Sequence, residues 1–330
     1  MSSGSNRRPH SVGAFGMLTW DQLLQLDRFP VEGQYHVVKE SIEQSGGTTG
    51  NMGVALARIG VNVSIASRVG DDRLGHQLLE ELNAEGCDTE HVTILEDTPT
   101  DRGVILVSGG GSATDRTILW VQGARLKHGH HLPVEQFFAK DLVIADVDDP
   151  RLRLFLLDLP MHVSPRTRIF GTLTFLTELE PWHALELALR HDYLSGNAAE
   201  LVHATGEPDL GAAFARLQQE MVLSQVRFAA ISEGPNGCHI VTREDVIHLP
   251  AFQVDVIDPT GAGDAFAAGI AYGILERWEL AKTGRFANAL GALAIRELGA
   301  RSSLPTLSEV EAFMKTAQMR TADARDHTST

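Results

Sequence analysis

Strand-like and helix-like patterns alternate along most of this chain, and that alternation restricts the fold more than any single residue does. Met52 to Ile59 has helical apolar spacing and is stopped by Gly60; Val61-Asn62-Val63-Ser64-Ile65-Ala66 then alternates as a strand does. Leu74, Leu78, Leu79 and Leu82 mark one helical face ending before Gly86. Leu142 to Val147, Val226 to Ile231 and Val254 to Ile257 read as short strands, and helices are expected up to Leu275 and from Phe286 to Leu298. Strands separated by helices predict a mostly parallel sheet covered on both faces.

Two stretches interrupt that rhythm. Arg102 to Ser108 and Asp115 to Gln122 are β-rich and separated by Gly109-Gly110-Gly111-Ser112, which reads as a hairpin; Gln34 to Glu43 also reads as strand, with no helix before it. These segments predict a small sheet projecting from the main one, placed to act as a lid that excludes water.

The chain has 330 residues, enough for one α/β domain with such an appendage. Its 28 Lys+Arg against 43 Asp+Glu give a formal charge of −15, so no basic surplus exists to hold a nucleic-acid backbone. No apolar run approaches the roughly 18 residues of a membrane span, and the first ten residues, MSSGSNRRPH, lack the apolar core of a signal peptide. Cys87 and Cys238 belong to no CxxC pair and read as small core residues in a reducing, cytoplasmic compartment.

Asp258-Pro259-Thr260-Gly261-Ala262-Gly263-Asp264 lies between an expected strand and an expected helix. Small residues there let an anion approach the unpaired N–H groups of a helix start. An aspartate beside that anion is unfavourable for mere phosphate binding but useful if Asp264 takes a proton from an attacking hydroxyl; it reads equally well as a helix-terminal acid. The GAGDAF run fails as a dinucleotide fingerprint because Phe266 replaces the small residue that close packing needs, and no GxxxxGK[ST] occurs. Gly46-Gly47-Thr48-Thr49-Gly50-Asn51 precedes a helix; Asn51 offers a donor and an acceptor to a hydroxyl, or simply caps the helix. Asn197 and Glu200, one turn apart at a helix start, suit either a hydrated Mg²⁺ or a capping box. Trp20 offers a sugar-stacking face or core packing. His128, His130 and His131 read as a solvated loop.

Taken together these segments resemble the PfkB carbohydrate kinases of the ribokinase-like superfamily, over nearly the whole chain and in the family's order. Asp21, in Gly16-Met17-Leu18-Thr19-Trp20-Asp21, resembles the sugar-binding aspartate; Gly46 to Asn51 resembles the GGxxxN loop; and Gly70-Asp71-Asp72-Arg73-Leu74-Gly75 resembles the GDDxxG turn. Asn197 to Glu200 is similar to NxxE, Ser232-Glu233-Gly234-Pro235-Asn236-Gly237 to the TxGxxG loop beside ATP, and Asp258 to Asp264 to DTxGAGD. Pro259 stands where the family has Thr, Thr19 where ribokinases have Asn, Ser232 in place of Thr, and Thr48 where many members have Lys.

The resemblance implies a three-layer α/β/α sandwich over residues 11–317, with lid strands drawn from about 18–45 and 101–125 and tails at 1–10 and 318–330. It implies ATP-dependent phosphorylation of a hydroxymethyl on a small sugar. Asp264 is then the base, with Gly261, Ala262 and Gly263 as the anion hole. Asp21, Gly47, Thr48, Asn51 and Asp148 are expected on the sugar. Asn197, Glu200, Ser232, Gly234, Gly237 and Asn288 are expected beside ATP, the first two holding Mg²⁺ through water. Asp258, Thr260 and Ser303, the last in Gly299-Ala300-Arg301-Ser302-Ser303-Leu304-Pro305, are expected around K⁺. Asp21 and Asp148 would repel a sugar phosphate, and GGTTGN carries no cation to attract one, so neutral ribose or fructose ranks first. A nucleoside kinase, with Trp20 as the aromatic clamp, and a catalytically silent sugar- or nucleotide-binding regulator are the alternatives. A homodimer paired through the lid is expected by analogy.

Overall fold

A computed structural model describes residues 9–108 and 115–319. Most of both expected tails and the Gly109 to Ser112 turn lie outside them. The chain opens with β1 (Ser11–Gly16), sends β2 (Thr19–Leu26) and β3 (Glu40–Gly46) into a small sheet, and returns through α1 (Thr48–Arg58) to β4 (Asn62–Gly70), α2 (Arg73–Ala84) and β5 (Asp88–Leu95). β6 (Arg102–Ser108) and β7 (Asp115–Val121) complete the small sheet. The main sheet resumes with α3 (Val134–Phe137), β8 (Leu142–Asp146), α4 (Pro150–His162), β9 (Ile169–Thr172), α5 (Pro181–Ala188), β10 (Tyr193–Asn197), α6 (Ala198–Thr205), α7 (Leu210–Met221) and β11 (Phe228–Ser232). A hairpin, β12 (Cys238–Val241) and β13 (Val246–Leu249), precedes α8 (Ala262–Leu275), α9 (Leu280–Ala294) and α10 (Leu307–Thr316).

The nine-stranded sheet runs β13-β12-β11-β10-β9-β8-β1-β4-β5, parallel except at the β12–β13 edge. Alternation along β1 shows why both faces must be covered. Val12 and Ala14 pack with residues of α1, α8 and α9, whereas Phe15, on the other face, packs with Phe137, Phe138 and Leu152. Leu194, Ala229 and Ile231 are buried with α5, α6 and α7. Each such large apolar side chain contributes about 1.5–3 kcal/mol on burial. The three expected layers are present.

The small sheet, β3-β2-β6-β7, is mixed: β2 pairs antiparallel with β3 but parallel with β6. Its inner face closes on Leu23, Ile105 and Val107, packed with Ile42 and Leu298.

Several boundaries differ from the sequence reading. β3 covers Glu40–Gly46, not Gln34 to Glu43, because its register with β2 ends where Gln25 meets Glu40. Val254 to Ile257 joins no sheet, since β13 already forms the edge; there the Ile257 N–H donates to the Ile295 carbonyl (2.9 Å) beyond α9. α1 starts at Thr48, so Asn51 sits within its first turn, its N–H donating to the Gly47 carbonyl (2.8 Å), and does not cap it. Gly47 at φ 84° makes the sharp exit from β3 that starts the helix early. α9 likewise begins at Leu280, six residues before the expected Phe286, and ends at Ala294.

Candidate active site

A cavity of about 560 Å³ opens at the carboxyl ends of β9, β10 and β11, where Thr172, Asn197 and Ser232 border it. That is where ligands enter open α/β sheets. The lid roofs it with Asp21 from β2, Gly103 and Ile105 from β6, and Arg116, Ile118 and Trp120 from β7. Its far wall is the turn from Pro259 into α8.

Gly261 precedes α8 at φ 78°, and a β-carbon there would collide with Ala300, so only glycine makes this turn. Ala262, Gly263 and Asp264 form the first turn of α8. The Ala262 N–H donates to the Pro259 carbonyl (3.2 Å), so it is partly spent inside the turn, contrary to its expected place in the anion hole. The N–H groups of Gly263 and Asp264, in the first turn of α8, have no intrahelical acceptor, and both residues line the cleft. Asn51 Nδ2 donates to Asp264 Oδ2 (2.7 Å). Burial pushes the Asp264 carboxyl up to about 7, against the Asn51 hydrogen bond; the Asp146 charge raises it further, and Arg116 and Arg301 oppose. A carboxylate poised near neutrality within reach of a helix-start anion site suits a general base.

Asp21 enters from the lid. Thr19 Oγ1 donates to its Oδ1 (2.7 Å), and β-carbons at Gly46 or Gly103 would collide with the carboxylate. Burial raises its pKa. Gly47, Thr48 and Asn51 line the same cleft, so of the five residues expected on the sugar all but Asp148 are brought together with Asp264.

Two cations here escaped the sequence reading. Arg301 is buried (6% exposed); its Nε donates to Asn51 Oδ1 (2.8 Å), its Nη2 to the Gly46 carbonyl (3.0 Å), and its Nη1 to Ser45 Oγ. By taking Asn51 Oδ1 it fixes which end of that amide faces Asp264. Burial lowers the Arg301 pKa to about 10, against the pull of Asp21 and Asp264, so it stays charged at neutral pH. Arg116 reaches across from β7, its Nη1 donating to the Pro259 carbonyl (3.2 Å). A cation two residues past Gly299 in an otherwise small, polar turn was the available signal for Arg301; Arg116 gave none, since strands display charges outward as readily as inward.

Other expectations are redistributed. Asp148 lies outside the cleft, paired with Arg125 (2.8 Å). The acid that ends β8 is Asp146, buried against Arg153 (3.2 Å) and Thr172 Oγ1 (2.5 Å). Trp20 is buried, with Nε1 on Glu43 (3.3 Å); the aromatic side chains that line the cleft are Trp120, Phe175 and Phe266, and of these Trp120 belongs to the roof. Asn197 and Glu200 form a complete capping box (2.9 Å each way) and also line the cavity, so the two readings coexist. Burial raises the Glu200 pKa. Ser232 and Gly234 line the cavity, but Gly237 and Asn288 do not. A β-carbon at Gly237 would strike the Leu249 to Ala251 backbone, and Asn288 Nδ2 donates to the Leu249 and Pro250 carbonyls (3.1 Å each); both brace that segment. His130 accepts from Arg68 Nε (2.8 Å) and the Lys127 N–H (3.0 Å), a loop role, and the described residues contain no metal-binding cluster of His, Cys, Asp or Glu.

Asp258 is fully buried, its Oδ1 accepting from the Thr260 N–H and its Oδ2 from the Gly299 N–H (2.8 Å each). Thr260 Oγ1 is buried without a partner, while Ser303 Oγ donates to the Ala294 carbonyl (2.9 Å).

An acid, a helix-start donor pair and a lid roof thus share one cleft. Residues 14–307 match the sequence pattern of the pfkB family carbohydrate kinases. The chain belongs to the pfkB family. It is an ATP-dependent carbohydrate kinase. It is similar to an ATP-dependent ribose-1-phosphate kinase of Halopiger xanaduensis, 28% identical over 91% of this chain and 96% of that protein. It is also similar to the ribokinase of Bacillus subtilis, 26% identical over 92% and 99%. The solved structure of Arabidopsis thaliana ribokinase complexed with ribose and ATP shares the fold, with a TM-score of 0.76 at 22% identity over 94% of this chain and 99% of that one.

Proposed function

We propose that this pfkB kinase, a single unit over residues 11–317, transfers the γ-phosphoryl group of ATP to a hydroxymethyl of a small neutral sugar of the ribose or fructose type. The observation that carries this reading is Asp264, hydrogen-bonded to Asn51, opening onto the same cleft as Asp21. Asp21 accepts from sugar hydroxyls and Asn51 orients one of them. Asp264 takes the proton of the attacking hydroxyl, while the Gly263 and Asp264 N–H groups and the Arg116 guanidinium stabilise charge on the group being transferred. The GGTTGN loop carries no cation, but Arg116 from β7 brings one to the cleft. Its contact with the Pro259 carbonyl, at the turn into α8, supports a role on the transferred phosphoryl and leaves Asp21 to disfavour an anionic sugar. Turnover with ATP, Mg²⁺ and a panel of sugars and nucleosides tests the reading: phosphorylation of a neutral pentose or hexose supports it. Trp120 in the roof favours a nucleoside kinase as the second reading, and exclusive turnover of nucleosides would establish that instead. Binding without turnover of any of them would indicate a silent regulator.

Asn197 and Glu200 fit a Mg²⁺ that keeps its waters, since both line the cleft and the described residues form no closed cage of metal ligands. Mg²⁺ bound with ATP would neutralise phosphate charge. Glu200→Gln preserves the cap, because an amide oxygen can accept the Asn197 N–H, but removes the charge. The Mg²⁺ concentration giving half-maximal rate is therefore expected to rise several-fold with little change in melting temperature, and an unchanged dependence would leave Glu200 as a cap alone.

Asp258 and the unpartnered Thr260 hydroxyl fit a monovalent cation, because no cationic side chain among the described residues pairs with that buried carboxylate. Ser303 would join by turning its hydroxyl from Ala294. K⁺ should raise turnover several-fold, and the melting temperature with it, over tetramethylammonium at matched ionic strength. Identical values in both salts would reduce Asp258 to a brace between its loop and Gly299.

We further assign the chain to the cytoplasm, where Cys87 and Cys238, both buried and free, stay reduced. A homodimer through the lid is supported by Ile118, Leu119 and Val121, exposed on edge strand β7. Sedimentation at micromolar concentration should give twice the chain mass, and a monomer would remove the dimer.

A further inference from the structure

A second cavity, also about 560 Å³, lies at the opposite end of the main sheet's strands, at the amino ends of β8 and β10 and beside the end of α8. Four arginines line it: Arg166, Arg168, Arg227 and Arg277. In a chain of formal charge −15, four guanidinium groups around one hollow are a local concentration of positive charge. Acids nearby offset only part of that charge. Asp192 lies 3.5 Å from Arg168 Nε and 3.7 Å from Arg227 Nε, Glu276 is bonded to His10 (3.0 Å), and Asp141 accepts from the Ser11 N–H (2.9 Å). Among the described residues, no ion pair involves Arg166 or Arg277.

The backbone supplies an independent observation. Arg277 has φ 55°, the one positive φ at a non-glycine position among the described residues. It follows α8 in a Schellman turn, the Trp278 N–H donating to the Gly273 carbonyl (3.0 Å), at the position where helices usually carry glycine. The chain accepts left-handed strain there and thereby sets a guanidinium at the cavity edge.

We propose that this cavity is a binding site for a phosphate-bearing metabolite, separate from the substrate cleft, with Arg166, Arg168, Arg227 and Arg277 as its anion contacts. The guanidinium fork matches phosphate oxygens in pairs, and the volume falls in the range of small-molecule sites. Half-buried Tyr193, packed against Phe228 at 5.1 Å, offers a wall for the organic part of the ligand. α8 carries Asp264 in its first turn and Arg277 just past its last, so an occupant here would grip the helix that holds the base.

Inorganic pyrophosphate is the probe, titrated calorimetrically into the full-length protein with the cleft saturated by the β,γ-imido analogue of ATP. One binding event is expected to persist under those conditions. Arg166→Gln with Arg277→Gly should weaken it at least about tenfold and leave the KM for ATP unchanged. Arg277→Gly alone should raise the melting temperature by relieving the left-handed residue, which separates lost binding from lost folding. The proposal is overturned if pyrophosphate binding vanishes when the cleft is filled, if the double variant binds as tightly as the parent, or if no binding occurs up to about 10 mM.

Discussion

Asp264→Asn is expected to lower turnover by about 100- to 10,000-fold, the range that removal of a general base costs, while the protein stays folded and binds ATP. The amide keeps the size of the carboxyl and can still accept from Asn51 Nδ2, so the hydrogen bond at 2.7 Å has a substitute. What it cannot do is take a proton. The same change removes a negative charge that burial disfavours, which is why that carboxyl titrates near 7 instead of in the usual carboxylate range. At pH 8 the melting temperature should therefore be equal to or above that of the parent, the pattern of a residue kept for chemistry at the expense of stability. Near-parental turnover would mean that Asp264 is only a helix-terminal acid.

Arg301 carries the second large effect. It joins three elements that the reaction needs in register: the end of β3 through Ser45 and Gly46, α1 through Asn51, and the Gly299 to Pro305 turn on which it sits. Arg301→Met is expected to destabilise the fold by about 3 kcal/mol or more, because it strands Asp21 and Asp264 beside a buried site that has lost its compensating charge. Arg301→Lys retains charge but cannot hold Asn51, Ser45 and Gly46 at once. It should keep most of the stability and lose at least about tenfold in kcat/KM, with the loss reproduced by Asn51→Ala and not added to it when the two are combined. Additive losses would show that Arg301 does not act through Asn51.

Much of this architecture was legible in the residues because it rests on local chemistry. The parallel sheet follows from strand and helix patterns in alternation, and the Gly261 turn from a helix start that tolerates no β-carbon beside Ala300. Asp21, Asn51 and Asp264 lie in recognisable runs, and the chain brings all three to one cleft. The misreadings share a cause: each depended on which neighbour a side chain meets. Asp148 and Asp146 are both acids near the end of one strand, and only the packing of Arg125 and Arg153 separates them. Trp20 and Trp120 exchange roles because adjacent residues on a strand face opposite sides, and Trp20 falls on the covered one. Val254 to Ile257 has the alternation of a strand but no free sheet edge to join. Arg116 and Arg301 had no motif to announce them, since their importance comes from contacts with Pro259 and Asn51 across 143 and 250 residues of chain.

Removal of the hydroxyl proton by a buried carboxylate at the start of α8 should show in the pH dependence of kcat/KM for the sugar. The base works only when ionised, and its pKa is raised to about 7, so the rate is lost as pH falls through that value and is restored above it. The profile is expected to rise about tenfold per pH unit below 7 and to level above it, with the limb absent from the residual activity of Asp264→Asn. A profile that stays flat from pH 8 down to about 5, or a limb near 7 that survives in Asp264→Asn, would contradict it.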